Sequence, residues 1–460
     1  MINLTKSIFI ILLAIFAFSC ASTQTFKQQF RSIDKSVLSG NFDGAIAQLE
    51  NSKSQYYDKK DRVVYYLDLG LLYHYQGDFA KSNEYLTKAD EAIERFYTKS
   101  ISKIATSLLL NDNAMNYSGE DYEDVYLNLF KALNYVNMNK FDEAFVEIRR
   151  VNEKLNLLED KHKEVAKEYN KSSDAVKKME VGKNQFHNSS LARYFGILLN
   201  RKEGKFDNAR IDLQKLKEGW DSQSQIYYFP KPNLDGYLER TNKVKVNFVS
   251  LVGRSPEKFA KNLTIHTLKD NIAIYTSNGR TRTELDLIYW DGIKEGLTFK
   301  FSLPYLRKNE SKVSRVEVLV DGKKYTNLEM IEDLSEVAVE TFKIKEPMIY
   351  LRTITRTILK GVAAELANQK LDKETGGGFM GYLTRAASGA LLGLTENADL
   401  RSSRYFPSKV LVGEIELPEG KHQIQLNYYS SNGVLVHSDN LGTKNIQKNN
   451  LNLFQSNFLE

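Results

Sequence analysis

The stretch from Val64 to Ala89 constrains the fold more than any other part of this sequence. Within it, residues 69–73 (Leu-Gly-x-x-Tyr) precede residues 77–79 (Gly-Asp-Phe). A residue as small as Gly70 lets two helices approach closely, and Gly77 can end the first of them. The pattern predicts two helices joined by a tight turn. Because one such pair cannot bury its own apolar face, the sequence must supply further pairs.

Turns of the same kind recur in the first half of the chain. They begin at Gly40, Asn139 and Gly204, and each is followed by phenylalanine two residues later and by alanine five residues later. A helix-turn-helix unit of about 34 residues with these features is typical of the tetratricopeptide repeat (TPR). The sequence therefore predicts a TPR-like α-helical repeat domain over residues 20–225. A generic α-helical bundle is the alternative.

The register of these repeats selects four candidate partner-binding residues. With Gly70 at the small position, the first helix of its repeat directs His74 and Tyr75 toward the concave face. The corresponding helix before Asn139 directs Tyr126 and Asn137 to the same side. Repeat scaffolds bind with this face, and tyrosine is enriched at binding hot spots. The alternative is that the two tyrosines pack against neighbouring repeats.

The hydrophobic pattern changes in the second half of the chain. The segment from Trp220 to Pro232 interrupts the helical period, and from Lys243 onward apolar and polar residues alternate as in half-buried strands. A helical pattern returns between Leu328 and Gln369, before further strands. The sequence predicts a β-rich, sandwich-like domain over 240–460 with a helical insertion at about 330–400. The predicted fold class is α+β and multidomain.

The stretch from Gly376 to Leu394 combines small residues with leucines. Small residues allow close helix packing, as Gly389-x-x-x-Gly393 would. About 17 residues that include Arg385 are too few to span a bilayer as a helix. Two interpretations stay open: a buried hairpin beneath the sandwich, or an apolar patch that meets a membrane or a partner.

The sequence lacks recognisable catalytic and metal-binding motifs. The six histidines have no metal-ligand spacing, and neither a nucleophile elbow nor a phosphate-binding lysine loop occurs. The carboxylate pairs Glu120–Asp121 and Glu332–Asp333 stand among polar residues, so we expect nothing to raise a pKa there for acid catalysis. The net charge of +6 is too small for a nucleic-acid-binding surface. We predict no catalytic residue, metal site, cofactor or nucleic-acid partner.

Residues 1–19 are typical of an export signal. Lys6 supplies the positive charge, and the apolar run from Ile8 to Phe18 is too short to span a bilayer. The signal ends directly before Cys20, the one cysteine of the chain, so no intrachain disulfide can form. Residues 17–20 resemble a bacterial lipobox, which implies that the Cys20 thiol is diacylated. The alternatives are an ordinary signal peptide with a chance cysteine, or an uncleaved anchor.

Five short motifs occur in a distinctive order along the chain. They are Asp121–Val125, Lys131–Tyr135, Val146–Arg150, Ala398–Ser402 and Leu417–His422. Together they resemble a family of bacterial cell-envelope lipoproteins with TPR-like repeats, to which no biochemical activity is firmly assigned. The resemblance covers nearly the whole mature chain and implies an envelope location and scaffold character. By a similar resemblance, Ala21 after the lipidated cysteine implies sorting to the outer membrane.

These features predict a lipid-anchored scaffold or adaptor that binds another envelope protein through a TPR-like concave groove. The expected location is the periplasmic side of an outer membrane. The rival hypothesis is a cell-envelope enzyme acting on peptidoglycan or glycans, with its site in the C-terminal domain. A third is a purely structural lipoprotein. An enzyme concentrates perturbed carboxylates or a metal in a closed cleft, whereas an adaptor presents an open groove.

We predict that Cys20→Ser yields a soluble or unprocessed chain, because two or three acyl chains hold a protein on a membrane and the variant cannot receive them. Detergent phase partitioning of the wild type and the variant measures this. A variant that still partitions entirely into detergent after its signal is removed would place the anchor elsewhere, with the stretch from Gly376 to Leu394 as the first suspect.

Overall fold

The computed structural model describes residues 30–103, 111–171, 178–277, 282–375 and 397–460. Cys20, the export signal and the stretch from Gly376 to Leu394 lie outside the described residues. The chain divides into two compact units, Met1–Asp58 and Lys59–Glu460. The described part of the first unit contains three helices. They are α1 (Arg31–Leu38), α2 (Phe42–Asn51) and α3 (Lys53–Tyr56).

The first half of the second unit is helical and consists of consecutive helices packed in pairs. Helix α4 packs on α5, α6 on α7, and α8 on α9. Their bounds are α4 (Arg62–Gln76), α5 (Phe79–Lys103), α6 (Asp121–Asn137), α7 (Phe141–Asn170), α8 (Ser190–Lys202) and α9 (Phe206–Ser222). A short 3-10 turn, Asp235–Leu238, follows α9.

The four helix-ending turns lie where the sequence predicts them, and each depends on a residue with left-handed backbone. The φ angle is +94° at Gly77, +58° at Asn139 and +71° at Gly204, and it is +72° at Gly40 in the first unit. Glycine adopts this conformation without steric cost, and asparagine is one of the few other residues that tolerate it.

The described residues of the second half of the second unit form three four-stranded sheets and one long helix. The sheet orders are β12-β1-β9-β8, β11-β10-β6-β7 and β4-β3-β2-β5. The elements are β1 (Val244–Val252), β2 (Glu257–Leu268), β3 (Asn271–Ser277), β4 (Arg282–Tyr289), β5 (Thr298–Arg307), β6 (Arg315–Val320), β7 (Lys323–Asn327), β8 (Glu329–Asp333), α10 (Leu334–Thr375), β9 (Lys409–Leu417), β10 (Gly420–Tyr429), β11 (Leu435–Ile446) and β12 (Leu453–Phe458). Helices thus occupy the N-terminal half and sheets the C-terminal half, as the sequence predicts.

Two of the sheets share one apolar core, and the third packs on α10. The shared core includes Phe248 of β1 and Val318 of β6, both fully buried. Ile354 and Ile358 of α10 pack against the inward side chains of the third sheet. Strand β1 pairs with β9 in antiparallel fashion but with β12 in parallel, so the first sheet is mixed.

Helices α4 and α5 approach each other closely at Gly70. A Cβ atom built on Gly70 would lie 2.7 Å from both Cγ and Cδ2 of Leu86, and 3.3 Å from the Leu86 backbone nitrogen. The Ser82 hydroxyl also donates a hydrogen bond of 2.7 Å to the Gly70 carbonyl oxygen. The crossing therefore has no room for a side chain at position 70.

We predict that Gly70→Leu lowers the free energy of unfolding by about 1–3 kcal/mol or more, because it overpacks this crossing. Urea unfolding followed by circular dichroism measures the change. Gly236→Ala is the matched control, since nothing lies within 4 Å of the Cβ it would add. Equal stability of Gly70→Leu and the wild type would contradict the close crossing.

Candidate protein-binding surfaces

An extended segment of the C-terminal half lies against the helices. Residues 397–408, which we call the bridging segment, contact both α4 and α6. The backbone N–H groups of Ser403 and Arg404 donate to Glu123 and Asp68 at 2.5 and 2.9 Å. Further along, the ring of Phe406 packs edge-on against Tyr122 and Phe130. One side of the helical half is thus covered by the chain itself.

Two of the four sequence-predicted binding residues, His74 and Tyr75, lie under this cover. The Tyr75 hydroxyl donates to the backbone oxygen of Tyr405 at 2.8 Å. The ring nitrogens of His74 lie 2.6 Å from Asn134 Oδ1 and 2.7 Å from Gln455 Nε2 on β12. Burial lowers the pKa of His74 to about 4, so its ring is neutral at physiological pH. Both side chains make their contacts within the chain.

Tyr126 is also fully buried, and its partner is Glu332 on β8. The Glu332 carboxylate accepts hydrogen bonds from the Tyr126 hydroxyl at 2.6 Å and the Ser189 hydroxyl at 2.8 Å. It also accepts from the Leu191 N–H at 2.7 Å and the Tyr227 hydroxyl at 3.3 Å. The N-terminus of α8 points at this carboxylate, which favours its negative charge. Burial nevertheless raises the pKa of Glu332 to about 7.

Asn137 is the one exposed member of the predicted set. It lies at the end of α6, where its side-chain amide donates to the Leu133 carbonyl oxygen of the same helix at 2.9 Å. The structure therefore does not bring the four predicted residues together into one open surface.

The expectation that the two carboxylate pairs lie in polar surroundings is wrong. Glu332 is fully buried, and Glu120, Asp121 and Glu123 at the start of α6 are buried as well. Burial and the neighbouring Glu120 raise the pKa of Glu123 to about 7. Burial alone would raise the pKa of Glu120 too, but the ammonium groups of Lys258 and Lys345 hold it below its usual range. Sequence neighbours did not reveal this burial, because distant segments cause it.

A cavity of about 380 Å³ with both apolar and charged lining residues lies next to this carboxylate cluster, between the loop before α6, strand β2 and helix α10. Four basic side chains line it, and each one forms an ion pair with a carboxylate in the same lining. The pairs are Lys258–Glu120, Lys345–Glu120, Arg352–Asp112 and Arg401–Asp399. The lining is thus largely neutralised from within.

An open groove of about 590 Å³ lies on another side of the helical half, between α7, α8 and α9. We call it the α7–α9 groove. Its more exposed apolar side chains are Phe145, Val146 and Ile211, and the last two are 44% and 49% exposed. An ion pair between Arg193 and Asp212, 3.2 Å apart, also lines it. The remaining lining residues are Asp142, Ile148, Arg149, Asn152, Gly196, Asn200, Lys205 and Asn208.

Sequence reasoning did not select Val146 or Ile211, although a signal exists. Each is an apolar residue on an otherwise polar helix face, with Glu143 and Arg149 flanking Val146 at helical spacing. A single exposed apolar residue is ordinary, but two that line the same groove form a patch of the kind found at interaction sites.

In the described parts of the chain, no helix is both long and apolar enough to cross a membrane. The same parts of the chain contain no group of three or more histidine, cysteine or carboxylate side chains that could hold a metal ion. No protein-family model and no curated protein matches this chain.

The raised pKa of Glu332 predicts a pH-dependent stability. Its pKa is 4.5 as a free side chain and about 7 in the fold, so the folded chain holds more protons between these values. The contribution of Glu332 to stability is therefore present below pH 4.5 and is lost as the pH rises toward 7. We expect the stability of the wild type relative to Glu332→Gln to fall across this window by up to about 3 kcal/mol.

Urea unfolding of both proteins between pH 4.5 and 8 measures this difference. Glu310→Gln is the matched control, because this side chain is exposed and water surrounds it before and after unfolding. A difference that stays constant with pH, or one that Glu310→Gln reproduces, would contradict the burial of an ionisable Glu332.

Proposed function

We propose that this protein is a lipid-anchored scaffold of the cell envelope that binds another protein through the α7–α9 groove. The exposed apolar side chains of Val146 and Ile211 in that groove carry the proposal. Attachment through Cys20, and a location on the periplasmic side of an outer membrane, rest on the sequence pattern alone.

The fold that we propose for this scaffold is a TPR-like helical array joined to a β-sandwich-like region. The pairing of successive helices and the left-handed turns at Gly77, Asn139 and Gly204 support the first part. The apolar core shared by two sheets supports the second.

The groove suits a partner better than the inner side of the helices does. On the inner side, Tyr75 and Tyr126 already bind the bridging segment and Glu332. A partner would have to displace these buried hydrogen bonds, each of which leaves a costly unsatisfied group when it breaks. The α7–α9 groove, in contrast, requires only that water leave its apolar side chains.

The lining of the groove defines the chemistry of the partner. Apolar side chains lie beside charges of both signs, including Asp142, Arg149 and Lys205. An amphipathic segment with apolar anchors and flanking charged residues matches this arrangement, as in other helix-in-groove complexes.

A pKa near 7 suits a catalytic acid, and two carboxylates have one, but their placement favours a structural role. Both Glu123 and Glu332 have 0% exposure, so neither touches a substrate while the fold is intact. A catalytic acid must lie within hydrogen-bonding reach of the substrate. We therefore favour binding over an enzymatic function.

Photo-crosslinking tests the proposed groove. We expect p-benzoylphenylalanine at position 146 or 211 of the full chain to form an adduct with one and the same protein in intact cells of the native host. Position 157 is the matched control, since Leu157 lies on the same helix, is 62% exposed and does not line the groove.

With the crosslinker at position 146, an added Ile211→Asp substitution should abolish the adduct. That loss would support a partner that occupies the groove. Equal crosslinking from position 157, different partners from positions 146 and 211, or no adduct from either would contradict it.

A further inference from the structure

A second groove of about 570 Å³ has a strongly basic lining. It lies between the end of α8, the segment leading into β1 and the loop between β11 and β12. We call it the basic groove. Six basic side chains and one acidic side chain, Glu239, line it. The basic residues are Arg201, Lys202, Arg240, Lys243, Lys245 and Lys448.

Two of the six cations are paired within the fold and share one carboxylate. Glu414 of β9 lies 2.5 Å from an Arg201 guanidinium nitrogen and 2.8 Å from the Lys245 ammonium nitrogen. Arg201 also donates to the Tyr237 carbonyl oxygen at 2.6 Å. These contacts hold the wall of the groove in place and occupy both side chains.

The other four cations have a different environment. The Arg240 guanidinium lies over the Phe206 ring at 5.6 Å, and the Lys202 ammonium over the Phe141 ring at 5.4 Å. Lys243 and Lys448 are exposed. In the described part of the chain, none of these four pairs with a carboxylate. Their charge is available to a ligand.

The distribution of these charges identifies the kind of ligand. The four free cations belong to α8, the segment before β1 and the loop after β11, so they surround the groove instead of meeting at one point. A single phosphate group needs converging donors, whereas an extended chain with several separate negative charges matches separate cations. A flat bilayer surface cannot follow a concave wall. Asn449 and Asn450 add side-chain amides that can bond to a peptide backbone.

We propose that the basic groove binds an acidic peptide segment of a partner protein. The ring of Phe206, 36% exposed, gives an apolar contact for the stem of a glutamate or a neighbouring side chain. The site is separate from the α7–α9 groove, so the inference does not depend on the function proposed for that groove. Binding of this type is fast and strongly weakened by salt.

Fluorescence anisotropy with fluorescein-labelled octaglutamate tests the proposal on the full chain purified in detergent. We expect binding at about 50 mM salt that weakens roughly tenfold in the double variant Lys243→Glu with Lys448→Glu, because two attractive charges become repulsive. The same net charge change in Lys269→Glu with Lys312→Glu is the matched control. Both control lysines are exposed and line neither groove. The control should weaken binding less than twofold.

Several outcomes would overturn the proposal. One is the absence of octaglutamate binding to the wild type, and another is equal weakening in both double variants, which would indicate general charge attraction. Inorganic phosphate, added at the same concentration of negative charge as octaglutamate, should displace little of the labelled peptide. Strong displacement would identify a phosphate site instead. Vesicles containing phosphatidylglycerol should bind the groove variant and the control variant alike. Loss of vesicle binding in the groove variant alone would assign the surface to lipid.

Thermal unfolding of both double variants shows whether they are folded, which we expect because all four side chains are exposed. The crosslinks from positions 146 and 211 serve as an independent measurement. If they persist while octaglutamate binding fails, the basic-groove inference is wrong and the proposed scaffold function stands.

Discussion

The buried carboxylate of Glu332 is the interaction on which the joining of helices and sheets depends. Strand β8 carries it into a site closed by α6, the N-terminus of α8 and Tyr227. Taking a carboxylate out of water costs several kcal/mol unless its oxygens find donors, and here four groups donate to it. Because the donors come from distant parts of the chain, they can satisfy Glu332 only when helices and sheets are correctly placed. The contact therefore favours one arrangement over others that bury the same apolar area.

The same arrangement decides which sides of the helices are exposed to solvent. The bridging segment and β12 cover the side of the helices that carries His74 and Tyr75. An isolated helical array would leave this side open for a partner, as repeat scaffolds commonly do. In this chain the C-terminal half acts as an internal partner, and among the described residues the grooves around α8 and α9 stay open to solvent.

The sequence predicted local features well and distant contacts poorly, for a physical reason. Gly77 and Gly204 end helices because of their own backbone freedom, so a single residue type carries the signal. The change from helices to strands near residue 240 is likewise visible in the local period of apolar residues. In contrast, the burial of Glu332 depends on Tyr126 and Tyr227, which are far from it in sequence. Nothing in the residues next to Glu332 encodes that environment. Val146 and Ile211 do stand out locally as apolar residues on polar helix faces, but their meeting in one groove depends on how α7 packs beside α9.

The parallel pairing of β1 with β12 means that this sheet is completed only after the end of the chain is available. Phe248 of β1 pairs with Phe454 of β12, and Gln455 of the same strand contacts His74 on α4. Synthesis delivers the helices first and β12 about two hundred residues after β1, so the pairing that completes this sheet closes one of the longest loops in the chain. Until then the edge of β1 and the covered side of α4 are open to water and to other chains. A chain that has not yet closed this loop therefore exposes an unpaired strand edge, the kind of surface on which misassembly begins.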